Sequence, residues 1–328
     1  MTGAGPADFR RGGMADAGSG KSRAGVAAGA APAGGYALLD SGDGRKLERF
    51  GQVVLARPCA QAVWRPSLPP EEWRRADASF DREEGNRWTG RGRLPDHWRI
   101  DVDGTVFNLS TTDFGHLGIF PEQRAQWRRL REICAAAAAE SGRAPEVLNL
   151  FAYSGGSSLA CARAGARVTH LDDSRGMVDW AAENAKSNGL SNIRWIVDDA
   201  HKFLRREARR GRRYDGVILD PPSFGRGSGG ETYILERDLV ETVALCREVV
   251  SPSPVFVLLS AHTPGCSPKV LENVLAQAFG AMPGTVDSGE MLLEGGRGVF
   301  PLPSGNWALW TASGASRRAV AAEKGGGA

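Results

Sequence analysis

Several features are missing from this chain, and each absence removes a function class. No two cysteines stand at CxxC spacing: Cys59, Cys134, Cys161, Cys246 and Cys266 are odd in number and widely scattered. That speaks against a disulfide framework or a cysteine zinc site and suits reduced thiols in the cytoplasm. No apolar run approaches the ~20 residues of a membrane span. Residues 1–34 carry Arg10, Arg11, Lys21 and Arg23 but no apolar core of a secretory signal, and Asp8 and Asp16 count against a transit peptide. Neither sign of charge dominates: 41 Lys and Arg face 38 Asp and Glu, a net +3. Such mild basicity admits a nucleic-acid partner without demanding one. Missing too, after the first strand of the alternating region, is the G-x-G-x-x-G turn of dinucleotide-binding enzymes, where Y-S-G-G-S-S stands instead.

What remains is ordinary globular composition, 41% hydrophobic and 24% charged over 328 residues, enough for a substantial core. Residues 1–34 and 314–328 are Gly, Ala and small polar residues, which bury too little to offset ordering, so disordered tails are expected. Residues 35–114 read as a small β-rich subdomain. YALLD and RKLERF flank a Gly-bearing turn; QVVLARP and QAVWRP are short strands ended by Pro58 and Pro66; WRIDVDG and TVFNLS form another strand pair. Between them SFDREEGNRWTGRGRLPD reads as a mobile loop. Pro121 opens a helix of about twenty residues that Gly142 ends.

Residues 115–313 form the larger domain. Short apolar runs alternate with amphipathic segments five times: VLNLF, RVTHLD, IRWIVD, YDGVILD and PVFVLLS, each followed by a helical stretch. Five βα units predict an α/β fold with a mostly parallel sheet covered on both faces. TVDSGEMLLE and NWALWTA follow without a helix between them, a terminal antiparallel hairpin.

Ligands of such sheets lie outside the carboxyl ends of the strands. The first strand ends in NLFAYSGGSS, where Gly155 and Gly156 permit a tight turn and the next helix presents free N–H groups suited to a carboxylate; an ordinary βα turn would look alike. The second ends in LDDS. Asp172 can accept from ribose hydroxyls, of NAD as well as of other nucleosides, or simply cap the helix that Asp173 and Ser174 begin. In VDDA, Asp199 can accept from an adenine amino group with the Ala200 N–H at a ring nitrogen, or again act as a cap. The fourth strand ends in LDPPSFG. Pro221 and Pro222 stiffen the loop that holds Asp220, and Phe224 can stack on a flat acceptor. Together these sites suit S-adenosylmethionine, a cofactor without a pyrophosphate, and methyl transfer, in which positioning the acceptor is most of the protein's task.

LNLFAYSGG, LDDS, VDDA and LDPPSFG resemble the class I methyltransferase motifs of the family that includes the large-subunit ribosomal RNA methyltransferases I and K/L. GHLGIFPEQR is similar to that family's G-x-F-x-D-Q-R element, with Gly118, Phe120, Gln123 and Arg124 matching and Glu122 in place of Asp. The resemblance implies a Rossmann-like fold, S-adenosylmethionine as cofactor and a ribosomal RNA base as acceptor. It implies a cofactor site of Asn149, Phe151, Tyr153, Ser154, Gly155, Asp172, Met177, Asp199, Ala200 and Asp220, and a catalytic loop of Asp220, Pro221, Pro222 and Phe224. No metal and no membrane are expected, and no oligomeric state follows from the residues.

Two departures stand out. In the cytosine-C5 branch the fifth strand ends in a Ser-Cys-Ser type sequence with a nucleophilic cysteine. Here LLSAHTPG places Ala261 there, with Cys266 five residues on, so a heteroatom is the expected target. That branch also carries an N-terminal RNA-binding domain, for which residues 36–110 leave no room, so a small-molecule or protein acceptor, or a non-catalytic assembly role, stays open. His116 and His262 fall near the site. Arg124 and Arg226 are placed for a phosphate, whereas Arg205 to Arg213 reads as a solvated helix face.

Overall fold

The structure, a computed structural model, describes residues 34–82, 85–227, 230 and 232–313. The expected disordered tails therefore lie outside the described residues, Gly34 apart.

Strands β1 (Tyr36–Gly42) and β2 (Arg45–Phe50) form the expected hairpin, turned by Asp43 and Gly44, both at positive φ. An Asp-Gly pair favours that two-residue turn because both residues tolerate positive φ, which gives the turn a twist matching the right-handed twist of the strands. Strand β3 (Val53–Pro58) follows, but Gln61–Pro66 is not a strand. That segment folds back over the first hairpin, where the Trp64 indole donates to the Ser41 carbonyl at 2.9 Å and the Asp43 N–H to the Trp64 carbonyl at 2.7 Å. After a short helix α1 (Pro70–Arg74), the expected mobile loop contains β4 (Ala78–Asp81) and β5 (Arg87–Thr89), paired antiparallel. Here an aromatic pair across the strands, Phe80 and Trp88 with centroids 5.1 Å apart, outweighs a Gly- and Arg-rich composition. The Trp88 indole also donates to the Thr112 carbonyl. These strands make one sheet in the order β1-β2-β3-β4-β5, and β6 (Trp98–Val102) pairs with β7 (Thr105–Leu109) in a separate ribbon.

Pro121–Gln123 forms a single 3-10 turn before α2 (Arg124–Ser141), which ends at left-handed Gly142 as expected. The alternating units then run β8 (Glu146–Leu150), α3 (Gly156–Arg163), β9 (Arg167–Asp172), α4 (Arg175–Ser187), β10 (Ile193–Val197), α5 (Ala200–Arg209) and β11 (Gly216–Leu219). A hairpin of β12 (Phe224–Arg226) and β13 (Thr232–Ile234), absent from the sequence expectation, precedes α6 (Leu235–Val249), β14 (Phe256–Ala261) and α7 (Pro268–Phe279). Strands β15 (Gly284–Leu293) and β16 (Leu302–Ala312) close the fold as an antiparallel hairpin.

The central sheet has the order β10-β9-β8-β11-β14-β16-β15, parallel through β14 and antiparallel thereafter. Its inner parallel strands β8, β9, β11 and β14 are largely buried on both faces, which is why they read as continuous apolar runs. One core joins the two regions: Phe50, Val53 and Leu55 of the first sheet pack in the same cluster as Val147, Leu159 and Ile218. Polar groups tie the ribbon to α4. The buried Trp180 indole donates to the Asn108 carbonyl at 2.7 Å, and Asn108 Nδ2 donates to Asn184 Oδ1 at 3.0 Å. Among the described residues no helix is long and apolar enough to cross a membrane.

Candidate active site

Strands β8 and β11 lie side by side, with Leu150 opposite Leu219, and end at the same edge. From β8 the chain proceeds to β9 and β10 on one side; from β11 it proceeds to β14 on the other. A crevice opens at such a reversal. Here it holds an open cleft. The β8–α3 turn contributes Phe151, Tyr153, Ser154, Gly155 and Gly156; β11 contributes Asp220; the segment before and into α2 contributes Phe120, Gln123 and Trp127.

The β8–α3 turn is strained. Phe151 and Tyr153 sit at φ of 54° and 49°, a left-handed region that costs bulky residues energy and persists only where surroundings enforce it. The Phe151 ring packs on Tyr233 at 5.2 Å, and the Tyr153 N–H donates to Asp172 Oδ2 at 2.9 Å. Gly155 has φ 95°, and a Cβ there would lie 3.1 Å from that of Ala181. No side chain caps the start of α3, so its first N–H groups are available at the cleft. Beneath, Asn149 Nδ2 donates to Ser158 Oγ at 2.9 Å, and Ser158 bonds His170 Nδ1 at 2.9 Å.

Asp172 ends β9 and bonds both neighbouring turns: Oδ2 accepts from Tyr153 and Oδ1 from the Ser174 N–H at 3.0 Å. Burial nevertheless pushes its pKa up to about 6 against those two hydrogen bonds. Met177 is half-buried one turn into α4. Asp199 takes the capping alternative: its Oδ1 accepts from the Lys202 N–H at 2.8 Å at the start of α5, which Ala200 begins. Asp172, Met177, Asp199 and Ala200 are not among the residues lining the cleft, which surrounds Gly155 and Asp220.

Asp220 is held from three sides. Ser260 Oγ donates to its Oδ1 at 2.7 Å, Gln123 Nε2 donates to its Oδ2 at 3.1 Å, and His262 Nδ1 lies 3.7 Å from Oδ1. The other ring nitrogen of His262 lies 3.3 Å from buried Glu122. Burial disfavours a charged imidazole here, yet Glu122 and Asp220 outweigh it and push the His262 pKa up to about 9. Pro221 is buried, while Pro222 and Phe224 are exposed. The GHLGIFPEQR segment thus converges on the site, and Ser154 Oγ also donates to the Gly118 carbonyl at 2.7 Å. A buried ion pair in the first sheet supports it: Arg57 bonds Glu48 and donates to the Gly115 carbonyl at 3.0 Å.

Two polar features of the cleft lack partners within the protein. One is the uncapped start of α3; the other is Gln123 Oε1, buried without a hydrogen bond. They suit a ligand that carries both a carboxylate and an N–H donor.

Sequence reasoning passed over Ser260 and Trp127. Ser260 was legible as a lone hydroxyl in an apolar strand. Trp127 lies four residues after Gln123 on one helix face, and its ring stacks on Phe107 at 5.3 Å. Arg124 bonds the Asp103 carboxylate, which it shares with Arg128. The arginines of α5 face solvent as expected, Arg205 pairing with Glu241 and Arg206 with Asp198. Ala261 and Cys266 are both buried, and burial raises the Cys266 thiol pKa, which opposes the thiolate a carbon nucleophile needs.

Residues 79–281 match the S-adenosylmethionine-dependent methyltransferase family. A SAM-dependent methyltransferase of solved structure from Agrobacterium tumefaciens is 38% identical, with a TM-score of 0.78 over 84% of this chain and 90% of that one. Among curated relatives, ribosomal RNA large subunit methyltransferase I of Aeromonas salmonicida is 38% identical over 159 residues, 46% of this chain and 38% of the relative. Ribosomal RNA large subunit methyltransferase K/L of Syntrophotalea carbinolica is 29% identical over 187 residues, 56% of this chain and 22% of the relative. The matched stretches thus span well under half the length of these curated relatives. By family match and by overall fold, this chain belongs to the S-adenosylmethionine-dependent methyltransferases.

Proposed function

We propose that the chain methylates a heteroatom of a base in ribosomal RNA. Phe224 carries this reading. Its ring is 58% exposed, set by the β12–β13 hairpin four residues beyond Asp220. An aromatic ring left in water on the segment that follows a cleft residue is a surface on which a base can stack, worth about 1–3 kcal/mol per base. The ribosomal RNA acceptor itself comes from the names of the curated relatives.

When bound, S-adenosylmethionine supplies an already activated methyl group on a sulfonium sulfur. The uncapped start of α3 at Gly155 would receive its carboxylate, and the Gln123 Oε1 orphan suits an N–H donor. Asn149, Phe151, Tyr153 and Ser154 form the wall beside it. Asp172 would take the ribose hydroxyls, and Met177, Asp199 and Ala200 would flank the adenine. Asp220 would accept an N–H of the acceptor, while Pro221 and Pro222 hold that carboxylate still. We also read residues 35–114 as an accessory β-rich subdomain, residues 115–313 as the catalytic domain, and the cytoplasm as the compartment.

The test is transfer from methyl-labelled cofactor to an unmodified transcript of large-subunit ribosomal RNA, followed by nuclease digestion and mass spectrometry. One methylated nucleoside, with the methyl on nitrogen or oxygen, is expected. A methylated carbon, or no label in RNA, refutes the reading.

A further inference from the structure

We propose that His262 is a positioning residue: as an imidazolium anchored on buried Glu122, it holds the Asp220 carboxylate aimed at the cleft. This rests on the reading of Asp220 as the group that meets the acceptor.

The geometry carries it. His262 follows β14 directly, and its two ring nitrogens each face a carboxylate, Nε2 toward Glu122 at 3.3 Å and Nδ1 toward Asp220 at 3.7 Å. A neutral imidazole has one N–H and one lone pair, so one carboxylate would meet a lone pair. Only the doubly protonated ring turns an N–H toward both, facing Glu122 at 3.3 Å and Asp220 at ion-pair distance, 3.7 Å. Glu122 is 6% exposed, and a buried carboxylate left alone is costly, so its counterion is held tightly. The Phe120 ring at 5.8 Å covers the imidazole and restrains it.

The surrounding charges agree. Glu122 and Asp220 favour the cation. Lys46 on β2 opposes it but is itself paired with Glu48, which also binds Arg57. His116 carries no competing charge at neutral pH, because burial and the nearby Arg57 push its pKa down to about 4. Ser260 and Gln123 keep the Asp220 oxygens oriented, and His262 supplies the positive charge that this arrangement otherwise lacks.

The device has a consequence for rate against pH. Asp220 keeps its partner while His262 is protonated, so turnover falls as pH rises through about 9. Removing Glu122 moves that loss toward neutrality.

The direct experiment is NMR titration of the full chain labelled with ¹⁵N-histidine, with His262→Gln identifying the resonance among the five histidines. Both ring nitrogens of His262 should be protonated at pH 7, and Glu122→Gln should lower its pKa by about one unit or more. Titration at or below the ordinary histidine value, or no change in Glu122→Gln, overturns the proposal. If Glu122→Gln fails to fold, the wild-type titration alone decides. With the ribosomal RNA transcript, His262→Gln should lower kcat about tenfold and leave the KM for S-adenosylmethionine unchanged. The alkaline limb should shift in Glu122→Gln, and an unmoved limb also contradicts the proposal. Should the transcript accept no methyl at all, the acceptor reading fails, while the titration still decides the charge state of His262.

Discussion

Gln123 and Asp220, separated by 97 residues, share a hydrogen bond of 3.1 Å. The same Gln123 amide donates to Ser260 Oγ, which donates to the other Asp220 oxygen. The start of α2 and the ends of β11 and β14 therefore set one carboxylate between them. Such a network orients its central member more than any single bond does.

Gln123→Ala is expected to lower kcat about tenfold with cofactor affinity changed less than about threefold, and to cost about 1–2 kcal/mol of stability. Steady-state kinetics beside thermal unfolding check this. An unchanged kcat would remove Gln123 from the positioning of Asp220.

Asp172 predicts a pH limb in cofactor binding. Ribose hydroxyls donate to the ionised carboxylate, and burial has pushed the group's pKa up to about 6. Affinity should be flat above about pH 7 and fall about tenfold per unit below about pH 6. Stability runs the other way. A raised folded pKa contributes stability that is present below the unfolded value and lost as pH rises through about 6. Calorimetry across pH, with Asp172→Asn as the variant lacking the limb, decides the point.

Asp103 ties the β6–β7 turn to α2. Hydrogen bonds from Arg124, against some burial, and then from Arg128 hold its carboxyl well below the usual range. That stability is present above about pH 4 and is lost as pH falls. Asp103→Asn should cost about 1 kcal/mol at pH 7, since both arginines are substantially exposed and screened. It should also flatten the acid side of the stability profile in denaturant titrations.

Gly118→Ala tests whether the segment before α2 is rigidly seated. Gly118 has φ 87°, and an added Cβ would overlap the Trp180 ring. A loss of about 2–4 kcal/mol in thermal unfolding is expected. Ser154→Ala, which removes only the hydroxyl bonded to the Gly118 carbonyl, should cost about half as much or less.

Much of this fold was legible because burial on both faces writes parallel strands as uninterrupted apolar runs, as in VLNLF and PVFVLLS. The Asp-Gly turns at Asp43 and Asp103 were legible for a local reason, their tolerance of positive φ. What escaped depends on distant partners. Strands β4 and β5 pair through Phe80 and Trp88 inside a stretch of loop-like composition. The β12–β13 hairpin forms from three-residue strands, too short for any periodicity. Arg124 is engaged by Asp103, 21 residues away on a ribbon whose placement no local pattern encodes. At Asp199 the residue type suits cap and ligand alike, and the Lys202 bond fills the capping role. The juxtaposition of Glu122 and His262 was invisible as well, because it exists only once the 3-10 turn Pro121–Gln123 meets the end of β14.

The most direct test is a crystal structure of the chain with S-adenosylhomocysteine. The expected result is the carboxylate at the start of α3, the ribose on Asp172 and the sulfur facing Asp220. Ligand bound elsewhere, or seated in the cleft without touching Asp172 or the α3 N–H groups, would contradict the assignment.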